Sequence, residues 1–288
     1  MFTFAKAKVR KNFLLTKNMN QNNELTPSSA VAPRVVIRVG LDTMSFLLPH
    51  EDGRVEYSPY SVRNGVSMAA NLRQAFREAE IIAGCSDRVL LSVASPVALV
   101  PIDEYMDSDG FDIDLVYNST FLGYEHEARV ANVIPELNCV AVFSVNKDLK
   151  MVVEDRFKDV RIQNVMQPVW SHLYKSSQLI DQRRKLYGYF HDRHIDIFSF
   201  QQRRFRFQNT FDATRAHDAL YYILFVWKQL AFDNEEDELH LVGNTEHMEW
   251  LLTKLKTYVR RVYTINPSAD LNRAPASLIE GIDYDMMI

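Results

Sequence analysis

Hydrophobic and polar positions alternate with two different periods along the chain, and their order predicts strands followed by a long helix. Residues 205–211 alternate with a period of two, which is typical of a half-buried strand. The following residues repeat apolar side chains at helical spacing: Ala216, Leu220, Ile223, Leu224, Trp227 and Leu230. Most of the remaining circumference is apolar as well, through Tyr221, Tyr222, Phe225 and Val226. We therefore expect a helix that is capped by Asp212 and covered on nearly all sides.

The beginning of the chain shows the same order of patterns. Strands are predicted at 34–40, 44–48 and 54–62, separated by turns. An amphipathic helix is predicted at 66–83, and short apolar strands follow it at 88–94 and 97–100. This part of the chain is therefore expected to be a three-stranded meander followed by a helix and further strands.

The middle of the chain is less regular. No clear periodicity is present at 102–138. Beyond it, strands are predicted at 139–145 and 160–165, and helices at 147–157 and 168–178.

A second meander then begins. Its strands are predicted at 184–191, 195–200 and 205–211, and the long helix is followed by a short strand at 239–242 that ends in Gly243. The repeated order predicts an internal duplication of a βββαβα unit in an α/β protein.

Composition limits the class of protein further. The chain has 288 residues, of which 47% are hydrophobic and 24% are charged, as in ordinary globular proteins. Its longest apolar run, 219–227, is about half of the roughly 18 residues that suggest a membrane span, so we expect no membrane association. Cys85 and Cys139 lack a CxxC partner, which favours reduced thiols in a cytoplasmic protein.

Charge is distributed unevenly. Residues 1–33 carry five basic residues against Glu24, a balance of +4, so the net charge of −4 leaves −8 for the rest of the chain. An acidic core does not favour nucleic acid as its main partner. The first 33 residues lack periodicity and are expected to be a disordered leader, with Met1 and Met19 both open as the translation start.

Three strings carry a resemblance to a known family: VVIRVGLDTMSFLL, NLRQAFREAE and FDATRAHDALYYILFVWKQLAFD. Together with the two βββαβα units, they resemble a bacterial domain-of-unknown-function family with an actin-like ATPase fold, of the actin, Hsp70 and sugar-kinase superfamily. The resemblance covers roughly residues 34–265. It implies duplicated ribonuclease-H-like lobes with mixed sheets, at 34–178 and 179–266. The remaining residues, 267–288, are expected to form a C-terminal tail with a frayed end, and a docking segment is the alternative.

The resemblance also indicates where a nucleotide would bind. In actin-like ATPases the first hairpin presents an Asp, a Gly and small hydroxyl residues to the phosphates and the hydrated metal. The matching candidates are Asp42, Thr43 and Ser45, with Met44 in place of the glycine. The second hairpin offers Asp192 and Asp196 without any glycine. The third element, expected near the adenosine, supplies Gly243, Asn244 and Thr245.

Because most of the phosphate-loop glycines are absent, we expect a degenerate actin-like fold that acts as a non-catalytic interaction or scaffold protein with a protein partner. The alternative is a Mg-dependent ATPase or kinase that holds Mg-ATP in the interlobe cleft and uses Asp42, Asp192 and Asp196. No other cofactor is predicted. No metal site is predicted either, because His191 and His194 are expected to diverge from the nearby carboxylates on a turning strand.

A third interpretation is an RNA-associated factor. Its candidate residues are Arg183, Arg184, Arg203, Arg204 and Arg206. The interleaving of arginines with Phe205 and Phe207 resembles a nucleic-acid surface. However, strand alternation explains the same pattern if the phenylalanines point to the core and Arg204 and Arg206 to solvent.

Overall fold

The computed structural model describes residues 33–83, 85–107, 111–178, 183–243 and 245–288. The expected disordered leader lies almost wholly outside these residues, and so does Asn244.

The first half follows the predicted order and adds elements to it. Its helices and strands are β1 (Val35–Val39), β2 (Met44–Pro49), β3 (Val55–Tyr60), α1 (Met68–Glu78), α2 (Glu80–Ala83), β4 (Arg88–Val93), β5 (Val97–Pro101), α3 (Ile102–Asp107), α4 (Ile113–Thr120), β6 (Ala128–Ile134), β7 (Cys139–Val145), α5 (Lys147–Arg156), β8 (Asp159–Asn164) and α6 (Met166–Ser177).

The second half repeats the meander, the long helix and the apolar strand. Its helices and strands are β9 (Lys185–His191), β10 (His194–Gln201), β11 (Arg204–Asp212), α7 (Ala216–Gln229), β12 (Glu238–Gly243), α8 (Met248–Leu255), β13 (Arg261–Thr264), α9 (Pro267–Asp270) and α10 (Tyr284–Met287).

Two five-stranded sheets have the same topology. Their strand orders are β3-β2-β1-β4-β8 and β11-β10-β9-β12-β13. In each sheet the first strand of the meander is central: β1 is antiparallel to β2 and parallel to β4, while β9 is antiparallel to β10 and parallel to β12. The duplicated ribonuclease-H-like architecture with mixed sheets is therefore confirmed.

A third sheet, with the order β5-β7-β6, is antiparallel and belongs to the first half. Its strand β6 and the helices α3 and α4 lie in the stretch where the sequence predicted no element. Strand β6 is half-buried along most of its length, so it lacks the alternation that would identify it. The start of α4 did carry a signal, because Asp112 accepts hydrogen bonds from the backbone N–H groups of Asp114 and Leu115 as an N-cap.

One hydrophobic core spans both halves, while a second core lies in the second half alone. The first core joins buried residues of β1 and α1, such as Ile37 and Leu72, to Tyr189 on β9 and Phe198 on β10. Helix α6 of the first half contacts the second sheet, where its Trp170 packs edge-on against Phe205 with the ring centroids 5.1 Å apart. The halves are thus held together by an apolar interface in addition to their polar contacts.

The C-terminal segment does not fray. Tyr284, Asp285 and Met286 are buried, and Met286 packs in a small cluster with Leu47 of β2. The expectation of a frayed end is therefore wrong, because this short segment finds its binding surface on the first sheet.

Helix α7 also differs from expectation in two respects. Its core face is buried through Ala219, Ile223 and Val226, but Tyr221 and Phe225 are 63% and 49% exposed, so the helix is not covered on all sides. Its N-cap residue is Arg215 rather than Asp212, because β11 continues through Asp212 and delays the start of the helix. Within the described residues, no helix combines the length and apolar character that a bilayer crossing requires.

Candidate functional site

The tips of the two equivalent hairpins contact each other. The β9–β10 turn consists of Asp192 and Arg193, both in the left-handed region with φ of 44° and 62°. Two consecutive left-handed residues form the type I′ hairpin turn that usually takes Asn or Gly. The second hairpin therefore makes a tight turn without the glycine that the resemblance to actin-like ATPases implies.

Reciprocal polar contacts link this turn to the β1–β2 hairpin. The Asp192 carboxylate accepts one hydrogen bond from the Arg38 guanidinium and one from the Thr43 hydroxyl, each 2.9 Å long. Asp42 in turn forms an ion pair with Arg193 at 2.9 Å. Three of the sequence-predicted site residues, Asp42, Thr43 and Asp192, are thus brought together. Their side chains are bonded to residues of the opposite hairpin.

Gly40 is a position of the candidate site that the sequence did not indicate. A Cβ atom placed on Gly40 would lie 2.0 Å from Asp192 Oδ1 and 2.1 Å from Thr43 Oγ1. The first hairpin therefore does contain a glycine that permits close approach, two residues before Asp42. The group that approaches its backbone is the Asp192 carboxylate, so a phosphate oxygen in the same place would meet a like charge.

Arg38 lies at the centre of a buried charge network. Its side chain is 1% exposed, and its Nε donates to both carboxylate oxygens of Asp285 at 3.1 and 3.0 Å. The Tyr189 hydroxyl also donates to Asp285, at 2.6 Å. Burial opposes the charge of Arg38, but the carboxylates of Asp285 and Asp192 outweigh it and raise the guanidinium pKa above its ordinary value.

The sequence held one sign of this network, since Arg38 is the only charged residue in the strand VVIRV. A charged residue at a buried strand position requires a partner of opposite charge. The partner, Asp285, comes from the segment that was expected to fray.

His191 bridges the two carboxylates of the second hairpin. Its Nδ1 lies 3.0 Å from Asp192 and its Nε2 lies 2.6 Å from Asp196. Burial lowers the imidazole pKa, but the hydrogen bonds to Asp192 and Asp196 outweigh it and raise the pKa to about 10. The same contact with His191, together with the charge of Arg38, holds the pKa of Asp192 below its ordinary value against the effect of burial.

The expectation that His191 diverges from the nearby carboxylates is therefore wrong, because the turn brings it between Asp192 and Asp196. The contact is an ion-paired bridge. Within the described residues, no group of three or more His, Cys, Asp and Glu side chains is arranged to hold a metal ion.

Charge in this region is predominantly negative. Three buried carboxylates, on Asp192, Asp196 and Asp285, face two buried cations, Arg38 and His191. The remaining hydroxyl candidate, Ser45, is buried and donates to the Met286 sulfur at 3.2 Å. The residues present therefore do not fit a triphosphate group, which needs free backbone N–H groups, hydroxyls and cations.

The need for glycine at position 243 is explained by close packing between β12 and β9. Its φ is +81°, and a Cβ atom there would lie 2.2 Å from the carbonyl oxygen of Phe190. The end of β12 approaches β9 so closely that only glycine fits. Thr245, two residues on, lines a cavity of about 620 Å³.

This cavity lies between the β9–β10 turn, the end of β12 and the C-terminal segment. Its charged lining residues include Glu280 and Asp283 as well as Arg193. Burial raises the pKa of Asp283 above its ordinary value, although Arg38 opposes this shift. The volume suits a small molecule, and the excess of carboxyl groups disfavours an anionic one.

The five candidate arginines for RNA differ in their exposure and in their partners. Arg183 and Arg184 form ion pairs with Glu238 and Asp237. Arg206 is half-buried and donates to the backbone carbonyl of Leu230, so the expectation that it points to solvent is wrong. Its guanidinium lies over the Phe232 ring, 5.3 Å from the ring centroid, and the guanidinium of Arg184 lies 5.0 Å from the same centroid.

Arg203 and Arg204 are exposed at the β10–β11 turn. Four of the five candidate arginines are therefore exposed, and two of these four, Arg183 and Arg184, are held in ion pairs.

Phe205 and Phe207 pack against two different cores, because a β-bulge opposite Ser199 and Phe200 places the two rings on opposite faces of β11. The expectation that simple alternation points both rings to one core is therefore wrong.

Comparison with solved structures includes a strong similarity. A protein from Bacteroides thetaiotaomicron VPI-5482 with an actin-like ATPase fold and unknown function matches with a TM-score of 0.74 and 25% identity, over 83% of this chain and 94% of that chain. The PilM-PilN type IV pilus biogenesis complex matches with a TM-score of 0.49 and 10% identity, over 82% and 89% of the respective chains. The ethanolamine utilization protein EutJ from Carboxydothermus hydrogenoformans reaches 0.41 and 8%, over 89% and 90%. The latter two similarities are too distant to carry an argument.

No curated protein matches the chain. The profile of one protein family matches residues 22–262, and that family is described as "Protein of unknown function (DUF3822)". The match spans most of the chain and includes both hairpins described above. The chain therefore belongs to this family, and its fold is the actin-like ATPase fold.

Proposed function

We propose that this protein is a non-catalytic, cytoplasmic member of the actin-like fold that acts through contacts with other proteins. The observation that carries the proposal is the position of the Asp192 carboxylate. It fills the space over Gly40 and is bonded to Arg38 and Thr43. An internal anion thus takes the place where a phosphate group would approach the first hairpin.

Displacing this carboxylate would be costly. The Asp192 side chain is 2% exposed, and its removal from the site would leave Arg38 with an incomplete set of partners and His191 with only Asp196. Breaking one side of a buried ion pair costs about 3–5 kcal/mol. A nucleotide would have to supply that energy before any net binding, and it would add negative charge beside the carboxylates of Asp196 and Asp285.

The competing function is a Mg-dependent ATPase or kinase. Of its three candidate residues, only Asp42 has a largely exposed carboxylate, and that group is paired with Arg193. Asp196 is buried and accepts hydrogen bonds from Thr210 and from His191. A hydrated Mg²⁺ requires carboxylate oxygens that are free to face its water shell. The arrangement therefore supports the non-catalytic proposal.

Thermal unfolding in the presence and absence of millimolar Mg-ATP, repeated with Mg-ADP, tests the proposal. A ligand at about 100 times its dissociation constant stabilises a protein by roughly 2.7 kcal/mol, which is readily measured. We expect no shift of the melting temperature with either nucleotide. An upward shift that Asp42→Ala abolishes, together with phosphate release from ATP by the wild type, would overturn the proposal.

The second part of the proposal concerns protein partners. Affinity isolation from the cells that produce the protein, followed by mass spectrometry, should recover a partner in a constant ratio to the bait. Asp42→Ala should leave that recovery unchanged, since the proposal gives the nucleotide site no part in the contact. Recovery that requires added ATP would contradict the proposal.

A further inference from the structure

Helix α7 carries an exposed stripe of four residues that has no cover within the described chain. The stripe consists of Asp218, Tyr221, Phe225 and Lys228, all of which are exposed. At the helical turn of about 100° per residue, these four positions fall within an arc of about 80°. They lie opposite the buried face of the helix, which is formed by Ala219, Ile223 and Val226. The Tyr221 and Phe225 rings are nearly parallel, with centroids 6.1 Å apart.

The four residues of the stripe are spaced along the helix like the residues of a coiled-coil seam. The intervals between its members are three, four and three residues, which is the alternation of the a and d positions in a heptad. Such a seam packs well against another helix with the same spacing. Large exposed apolar side chains that form one such seam are a feature of interaction surfaces.

The order of residues along the seam is symmetric about Ile223. Tyr221 and Phe225 lie two residues on either side of it, and Asp218 and Lys228 lie five residues on either side. The sequence of the seam is therefore acidic, aromatic, aromatic, basic. If a second α7 helix ran antiparallel with its axis of symmetry at Ile223, each aromatic residue would face an aromatic residue and each charge would face its opposite.

We propose that this face of α7 binds α7 of a second copy of this chain in an antiparallel, two-fold symmetric contact. Asp218 of one copy then pairs with Lys228 of the second copy, and the pair occurs twice in the dimer. A parallel contact would place Asp218 against Asp218 and Lys228 against Lys228. The antiparallel arrangement also opposes the two helix macrodipoles, which is the favourable orientation.

Both charges are available for this pairing. Within the described residues, neither Asp218 nor Lys228 forms an ion pair. The dimer would also cover Tyr221 and Phe225, the two residues at which α7 departs from the complete coverage that its sequence predicts. A contact through one helix from each subunit is smaller than the roughly 800 Å² per partner of a standard interface, so the dimer should be weak and concentration-dependent. This inference is independent of the proposed absence of catalysis.

Analytical ultracentrifugation of the full-length protein over a concentration range of about 1–500 μM tests the contact. The wild type should self-associate to a dimer. Asp218→Lys and Lys228→Asp should each weaken the dimer by about tenfold or more, because each variant places like charges opposite one another twice. The double variant should restore dimerisation to within a few-fold of the wild type, because the pairs are re-formed with their signs exchanged.

Glu249→Lys supplies the matched control, since Glu249 is an exposed acidic residue on α8 outside the seam. It should leave the dissociation constant of the dimer unchanged. Thermal melts of all variants establish that each one is folded. A wild type that stays monomeric throughout the range, a dimer that the single variants leave intact, or a double variant as weak as the singles would each overturn the proposal.

Discussion

Arg38 and Asp192 are separated by 154 residues, yet the guanidinium donates a 2.9 Å hydrogen bond to the carboxylate. The two side chains are almost completely buried. Arg38 belongs to the central strand of the first sheet, and Asp192 follows the central strand of the second. The contact therefore joins the equivalent centres of the duplicated halves, at the point where the two hairpins meet.

The first prediction concerns the stability that this contact provides. Asp192→Asn keeps the volume of the side chain but removes its charge, which leaves both Arg38 and His191 with a deficit of negative charge. We expect a loss of about 3 kcal/mol or more in the free energy of unfolding. Urea denaturation followed by circular dichroism measures the change.

Asp42→Asn is the matched control, because it removes the other ion pair of the same hairpin tips. That pair with Arg193 has both side chains more than half exposed. Exposed pairs contribute on the order of 1 kcal/mol or less, so the control should have a small effect. Equal losses from the two variants would show that the buried link between the halves is not a main source of stability.

A second prediction concerns the dependence of stability on pH. His191 has a pKa of about 10 in the folded protein against an ordinary value of 6.5, so its contribution is complete below about pH 6.5 and is lost as the pH rises through 10. The pKa of Asp192 lies below its ordinary value of 3.8, so its contribution is present above about pH 3.8 and is lost as the pH falls further. Stability should therefore be highest between about pH 4 and 6.5.

The groups that face His191 are the carboxylates of Asp192 and Asp196 and the ring of Tyr189, which stacks on the imidazole at 4.8 Å. His191→Gln removes the titrating imidazole while retaining a polar side chain. The variant should be less stable than the wild type at pH 6. Between pH 6.5 and 10 its free energy of unfolding should fall much less than that of the wild type. Unfolding measured at a series of pH values gives both curves, and parallel slopes in this range would refute the assignment to His191.

Most of the fold could be predicted because it depends on local periodicity. The three strands and the helix of each half follow from alternation with periods of two and 3.6 residues. Strand β6 and the four-residue strand β13 were missed because a half-buried pattern and a short length leave little periodic signal.

Much of the candidate site could not be predicted in the same way. Asp42, Thr43 and Asp192 were identified at the hairpin tips, but their bonds to one another depend on tertiary contacts between the halves. Asp285 was missed because a short acidic and apolar segment resembles a free terminus until its partner is known. Arg38 was the available clue, since a buried strand arginine implies a carboxylate elsewhere in the chain.

The third prediction separates packing from backbone conformation at Gly243. Gly243→Ala introduces a Cβ atom 2.2 Å from the Phe190 carbonyl oxygen at a φ of +81°. Gly53→Ala is the matched control, because its φ is +84° but no atom lies within 4 Å of the added Cβ. The control should lose about 1–2 kcal/mol of unfolding free energy from the left-handed conformation alone.

Gly243→Ala should lose about 1–3 kcal/mol more than that control, because the backbone of β9 must move to admit the methyl group. Chemical denaturation of both variants measures the difference. Similar losses would mean that β12 can shift away from Phe190 without cost, and the close approach would then be unimportant for stability.

The last prediction tests whether the C-terminal segment is an integral part of the first sheet's packing. Met286 is 5% exposed and contacts the apolar cluster around Leu47, whereas Met151 on α5 is 52% exposed. Truncation of a buried methionine costs about 2–5 kcal/mol, and truncation of an exposed residue usually costs less than about 0.5 kcal/mol. Met286→Ala should thus lower the unfolding free energy strongly, while Met151→Ala leaves it nearly unchanged.

Proteolysis supplies a second readout of the same variants. If Met286 holds the segment on the sheet, its truncation also weakens the contact between Asp285 and Arg38, and a carboxypeptidase should remove the last residues faster from Met286→Ala than from Met151→Ala. Equal stability and equal digestion rates would contradict the packed arrangement. Since Asp285 supplies a main counter-charge to Arg38, release of the segment would expose an unbalanced arginine beside Asp192, so the stability of the hairpin contact depends on the last residues of the chain.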